Sequence, residues 1–155
     1  MSRSVELLKK RYLKNIKENP DLFIGIELEF PIVNLEGKAT DGEVVKDLFR
    51  YLPLVLGFTI EKVDDFGNPI QLLDPVSQDT ILFEVAYTTI EFAFGKAESI
   101  QEVEERFNFY MATIQNKLGE ANHAIVGCGI HPNWDKNENC SVSYPRYQML
   151  MAYLN

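Results

Sequence analysis

Residues 22–33, LFIGIELEFPIV, set two carboxylates inside an otherwise apolar run, and no other stretch constrains the chain as much. At the period of two that a β-strand imposes, Leu22, Ile24, Ile26, Leu28, Phe30 and Ile32 share one face. Phe23, Gly25, Glu27, Glu29 and Val33 share the other. The first face is therefore expected in the core. Glu27 and Glu29 then stand roughly 7 Å apart along the strand, where they repel and raise each other's pKa unless a cation or donor lies between them. That pair suits a hard divalent ion, and the same pattern also describes a half-exposed strand with two solvated glutamates.

Around this strand the periodicity reads as alternating helices and strands. Val5, Leu8, Tyr12, Leu13 and Ile16 predict a packed amphipathic helix ending before Asn19 and Pro20. Glu36, Gly37 and Lys38 make a turn, after which Thr40 and Glu43 form a capping box. The helix they open turns Val44, Val45, Leu48, Phe49 and Leu52 inward and is expected to stop at Pro53. Strands are predicted at 58–63 and 69–73, separated by a turn over Asp65–Asn68 and followed by a polar loop with Asp74, Pro75, Ser77 and Gln78.

Residues 80–94, TILFEVAYTTIEFAF, read as two alternating arms of a β-hairpin turning near Ala86–Thr88. Each arm carries one acid, Glu84 or Glu91, among apolar or small neighbours. Ser99 and Glu102 form a second capping box, opening a helix whose stripe runs from Ile100 and Val103 through Phe107, Tyr110, Met111 and Ile114 to Leu118. A small-residue strand at 124–130 leads to His131, Pro132, Asn133 and Trp134. A polar loop follows, then a final helix with Tyr147, Leu150, Met151 and Leu154 on one stripe. The order predicts a single α+β domain over 1–155, a mainly antiparallel sheet with helices over one face.

With 155 residues, 46% hydrophobic and 25% charged, the chain has the composition of one globular domain. Its net charge of -8 opposes nucleic-acid binding and an anionic membrane surface, since both require clustered cations. Lys9, Lys10, Arg11, Lys14 and Lys17 gather in the first helix and read as a solvated face. With no signal peptide and no apolar run near ~18 residues, a cytoplasmic location is expected. Cys128 and Cys140 are then reduced thiols, and the sequon at 139–141 stays unglycosylated.

Taken together, GIELEF at 25–30, FEVAYTTIEFAF at 83–94, GIHPNW at 129–134 and PRYQMLMAYL at 145–154 resemble the amino-terminal part of the glutamate-cysteine ligase family. That family includes the bacterial carboxylate-amine ligases and the plant-type enzymes, with a glutamine-synthetase-like catalytic fold. The resemblance implies ATP-dependent phosphorylation of the γ-carboxylate of glutamate, then displacement of the phosphate by an amine such as that of cysteine. By the same resemblance Glu27, Glu29, Glu84 and Glu91 would hold magnesium around the ATP phosphates. Arg146 and Tyr147 match a pair at the glutamate site, with Arg146 and Glu29 in catalytic roles and Thr89 and His131 on the substrate side.

The chemistry is consistent with those roles, because magnesium prefers oxygen ligands and phosphoryl transfer is mostly positioning and charge neutralisation. An arginine adds a planar bidentate grip on a carboxylate. As a bland alternative, Arg146 is a surface residue beside an acid. The chain departs from the family in two ways. Family members continue well beyond this length, so the fold is expected to be incomplete, with an unpartnered last helix and sheet edge that favour self-association. Glu84 and Glu91 also lie one residue further apart than the plant-type spacing, which requires a bulge or longer turn to aim both inward.

Three other readings compete. His123, Cys128, His131 and Cys140 offer zinc-type ligands, although their spacing fits no common finger and Cys128 between two glycines reads as a small buried residue. Glu84 and Glu91 alone could serve a two-carboxylate hydrolase, to which Glu27 and Glu29 would be superfluous. A truncated, non-catalytic binding or structural module on the ligase sheet is the third.

Overall fold

A computed structural model describes residues 2–137 and 141–154. Among the described residues, six strands form one antiparallel sheet: β1 (Glu27–Asn34), β2 (Thr59–Val63), β3 (Pro69–Leu73), β4 (Thr80–Phe83), β5 (Thr89–Ala93) and β6 (His123–Ile125). They lie in the order β2-β3-β4-β5-β1-β6, so the acid-bearing β1 is paired on both sides. Two helices, α2 (Gly42–Leu56) and α3 (Ile100–Gly119), cover one face, while α1 (Arg3–Leu13) and α4 (Pro145–Leu154) lie outside that layer. The α+β class and the antiparallel sheet are as the periodicity predicts.

The covered face is built from the alternation of each strand. Ile32, Leu72, Ile81, Phe83, Ile90 and Phe92 are fully or almost fully buried against Val45, Leu48, Phe49 and Leu52 of α2 and Val103, Tyr110, Ile114 and Leu118 of α3. Each large apolar side chain so buried contributes about 1.5–3 kcal/mol. Phe49 and Phe83 stack with ring centroids 3.8 Å apart, joining α2 directly to β4. With this face committed to the core, period two leaves Glu27, Glu29 and Glu91 on the opposite side.

Several local expectations are corrected. The strand predicted at 22–33 begins only at Glu27, with Ile24 making an isolated bridge to Ala97, and Leu22 is exposed. Helix α1 forms, capped by Ser2, but buries no residue, because nothing else in the described chain covers its stripe. The N-cap of α2 is Asp41, whose carboxylate accepts from the Glu43 N–H, while the Thr40 hydroxyl donates to the Ile32 carbonyl. That helix also runs through Pro53 and stops at Gly57, whose φ of 72° supplies the left-handed cap. Its missing N–H is tolerated because neighbouring turns hold the helix against the sheet.

The strand predicted at 124–130 is short, and residues 127–130 are exposed, Cys128 included. Ser99 caps α3 as expected, accepting from the Glu102 N–H at 3.2 Å. α4 forms with Tyr147 as its buried residue, leaving Leu154 largely exposed. No helix among the described residues is long and apolar enough to cross a membrane.

Candidate functional site

The open face of the sheet gathers the glutamates. In the β1–β5 ladder Glu27 pairs with Ala93 and Glu29 with Glu91, and Glu91 in turn pairs with Leu82 of β4. Glu84 follows β4 directly, its N–H donating to the Thr89 carbonyl at 3.1 Å. The connection between β4 and β5 runs from Glu84 to Thr88. It includes Val85 at φ 61°, a left-handed conformation that costs a β-branched residue on the order of 1–3 kcal/mol. The segment is held there by the Val142 N–H, which donates to the Val85 carbonyl at 2.8 Å.

Glu91 has an exposure of 9%, whereas Glu27 and Glu29 are exposed. Burial raises its pKa first, then a hydrogen bond with the Glu84 carboxyl, then the charges of Glu84, Glu27 and Glu29; together they push it up from 4.5 to about 7. Glu27, Glu29 and Glu84 thus all act on Glu91. Tyr147 closes one end of this group, donating to the Phe83 carbonyl at 3.0 Å and lying 3.5 Å from a Glu84 carboxylate oxygen. Its pKa is raised, by burial first and by Glu84 next.

Arg146 is exposed, with its guanidinium carbon 6.0 Å from the Tyr147 ring centroid. It forms no ion pair among the described residues, so it stands beside the acids without gripping them. Glu29, Thr89 and His131 come together around a cavity of about 290 Å³ that Cys128 and Gly129 also line. The His131 ring is oriented from within the chain: Nδ1 accepts from the Asn133 N–H at 3.1 Å, and Nε2 lies 2.9 Å from the Ile32 carbonyl.

The zinc set is not assembled. His123 is buried, its Nε2 accepting from the Asp41 N–H at 3.0 Å and its Nδ1 lying 2.7 Å from the Ala121 carbonyl. Both ring nitrogens are thereby used; Cys140 and Asn139 of the sequon lie outside the described residues. The two-carboxylate hydrolase reading uses Glu84 and Glu91 alone, and Glu27 and Glu29 share their face.

Among the described residues no three acid, imidazole or thiol groups converge as a ready-made metal cage. The donor set is nevertheless all oxygen and spread over a face. That fits magnesium, which binds through one or two carboxylates and keeps its remaining positions for water and phosphate. Two buried acids escaped the sequence reading. Asp64 accepts from Tyr87 at 2.7 Å, and Asp79 from Arg106 and Tyr110 at 2.7 and 2.8 Å. Asp64 also accepts from the Phe66 and Asn68 N–H groups of its own turn, but Tyr87, Arg106 and Tyr110 are distant in sequence from the acids they reach, and no local spacing announces those contacts.

No known protein-family model matches the chain, and no curated protein matches it either.

Proposed function

We propose that the open sheet face is the acid half of an ATP- and magnesium-dependent carboxylate-amine ligase site of glutamate-cysteine ligase type. The observation that carries this reading is the meeting of Glu27, Glu29, Glu84 and Glu91 on one face, where burial first and the neighbouring acids next push Glu91 up to about 7. A cluster of this sign calls for a cation, and its oxygen ligands suit a hard one.

When bound, ATP and magnesium supply the transferable phosphoryl group and the charge that neutralises it. Glu27 and Glu29 provide accessible carboxylates toward that assembly. Glu91, raised to about 7 by burial and then by Glu84, would add its negative charge to the face on losing its proton. Tyr147 holds the end of β4 in place through the Phe83 carbonyl. Thr89 and the His131 ring bound a cavity beside Glu29 large enough for the side chain of a small substrate such as glutamate, and Arg146, exposed beside Tyr147, is the cation this reading assigns to its carboxylate. The product in this reading is a γ-glutamyl amide, formed through an acyl phosphate.

A second reading is a non-catalytic module on the same sheet, favoured by the exposed position of Arg146, which forms no ion pair with the acids among the described residues. Self-association through the outer strands β2 and β6 belongs to either reading. Calorimetry with ATP and magnesium, with and without glutamate, tests both. Magnesium-dependent nucleotide binding that Glu27→Gln removes, followed by turnover with an amine, supports the ligase. Nucleotide binding without turnover supports the module, and no binding overturns the metal assignment.

A further inference from the structure

A second cavity, of about 470 Å³, lies between the start of α2, the 64–68 turn, the hairpin tip and the segments at 136–137 and 141–143. Its volume is in the range of small-molecule sites. The chain has 23 acidic and 15 basic residues, yet the described lining contains Lys46 and Lys136 and no carboxylate. Carboxylates stand just behind this lining: Glu43 pairs with Lys46 at 2.8 Å, and Asp65 accepts from the Ser143 hydroxyl at 2.7 Å.

The rest of the lining mixes the aromatic rings of Tyr87 and Phe66 with short polar residues, Thr40 and Asn137 among them. Tyr87 is buried and turns its hydroxyl away, donating it to Asp64 at 2.7 Å, so the cavity meets its ring. Phe66 is 80% exposed, an aromatic ring left at the mouth without a partner large enough to cover it. The Lys46 ammonium lies 5.2 Å from the Tyr87 centroid and 2.8 Å from a Glu43 carboxylate oxygen. Glu43 is 67% exposed at its side chain, and so solvated a pair is weak enough for an entering anion to compete. Thr88 and Ser141 add short polar groups to the wall.

We propose that this cavity binds a small organic anion with a flat aromatic body, its charge facing Lys46 and Lys136 and its ring packed against Tyr87 and Phe66. The chemical class is an aryl phosphate or aryl carboxylate. Cation and aromatic surface act together here, because the apolar wall lowers the dielectric around the ammonium groups and strengthens their attraction for a charge. The site is independent of the ligase reading, since Glu27, Glu29, Glu84 and Glu91 take no part in its lining.

The test is calorimetric titration of the full chain with phenyl phosphate, with inorganic phosphate and benzyl alcohol as its separate halves. Phenyl phosphate is expected to bind at least about tenfold more tightly than either half, as two anchored parts of one molecule do. Lys46→Met with Lys136→Met is expected to weaken it at least about tenfold, and the two arginine substitutions to retain it. Phe66→Ala, at an exposed position with no fold to disturb, is expected to cost roughly fivefold. Equal binding of a half, unchanged affinity in the methionine variants and Phe66→Ala, or affinity lost on Glu29→Gln would each overturn the proposal, the last by moving the ligand to the acid face.

Discussion

Glu29 and Glu91 stand directly opposite one another on adjacent antiparallel strands. Side chains so paired have Cβ atoms about 4.5–5.5 Å apart, and like charges there destabilise a sheet. The fold accommodates the pair by keeping Glu91 protonated up to about pH 7, chiefly through burial and its hydrogen bond with Glu84.

Stability should therefore depend on pH in a defined direction. The folded pKa of Glu91 is raised from 4.5 to about 7, so its stabilising contribution is complete below 4.5 and is lost as pH rises through 7. Urea unfolding is expected to show a lower midpoint at pH 8 than at pH 5. Glu91→Gln, which stays neutral, should flatten that dependence and raise stability at pH 8 by roughly 1–3 kcal/mol. An unchanged pH profile in the variant would exclude this account of Glu91.

Magnesium should oppose the same loss. Because its binding favours the ionised acids, affinity for magnesium with ATP is expected to rise between pH 6 and 8 as Glu91 releases its proton. Glu27→Gln and Glu29→Gln should each weaken that binding by about tenfold. Both residues are exposed, so unfolding midpoints should stay within about 0.5 kcal/mol of the parent. Calorimetry read beside urea unfolding separates the two effects, and a variant that unfolds would contradict the placement of these acids.

Asp79 is 1% exposed and accepts from the Gly95 N–H at 2.7 Å, Arg106 at 2.7 Å and Tyr110 at 2.8 Å. Asp79→Ala leaves Arg106, whose side chain is 17% exposed, with the longer 3.5 Å pairing to Glu102, and should cost on the order of 2–3 kcal/mol in urea unfolding. A loss below about 1 kcal/mol would mean that the network adds little beyond its packing.

Gly95 is where the backbone comes too close for a side chain. A Cβ there would overlap the Ser77 carbonyl oxygen, and backbone cannot rotate aside as a side-chain tip can. Gly95→Ala is expected to destabilise by roughly 2 kcal/mol or more. Gly119→Ala, with open space around it at the end of α3, should instead stabilise by about 0.5–1 kcal/mol. Thermal unfolding of the two variants side by side checks the contrast.

The sequence by itself determined which residues are apolar on each element, and hence most of the sheet. Period two placed Ile81, Phe83, Ile90 and Phe92 in the core and left Glu29 and Glu91 on the other face, because alternation is a property of each strand alone. Tertiary structure decided what covers each face. The stripe of α1 has the same periodicity as that of α2, yet only α2 meets a sheet. Cooperation between neighbouring turns carried α2 past Pro53, and cross-chain contacts made Asp41 its cap and gave Thr40 to Ile32. The facing of Glu29 by Glu91, the outward position of Arg146 and the meeting of Lys46 with Lys136 depend on register and chain return. Those are set by long-range packing, which no local period encodes.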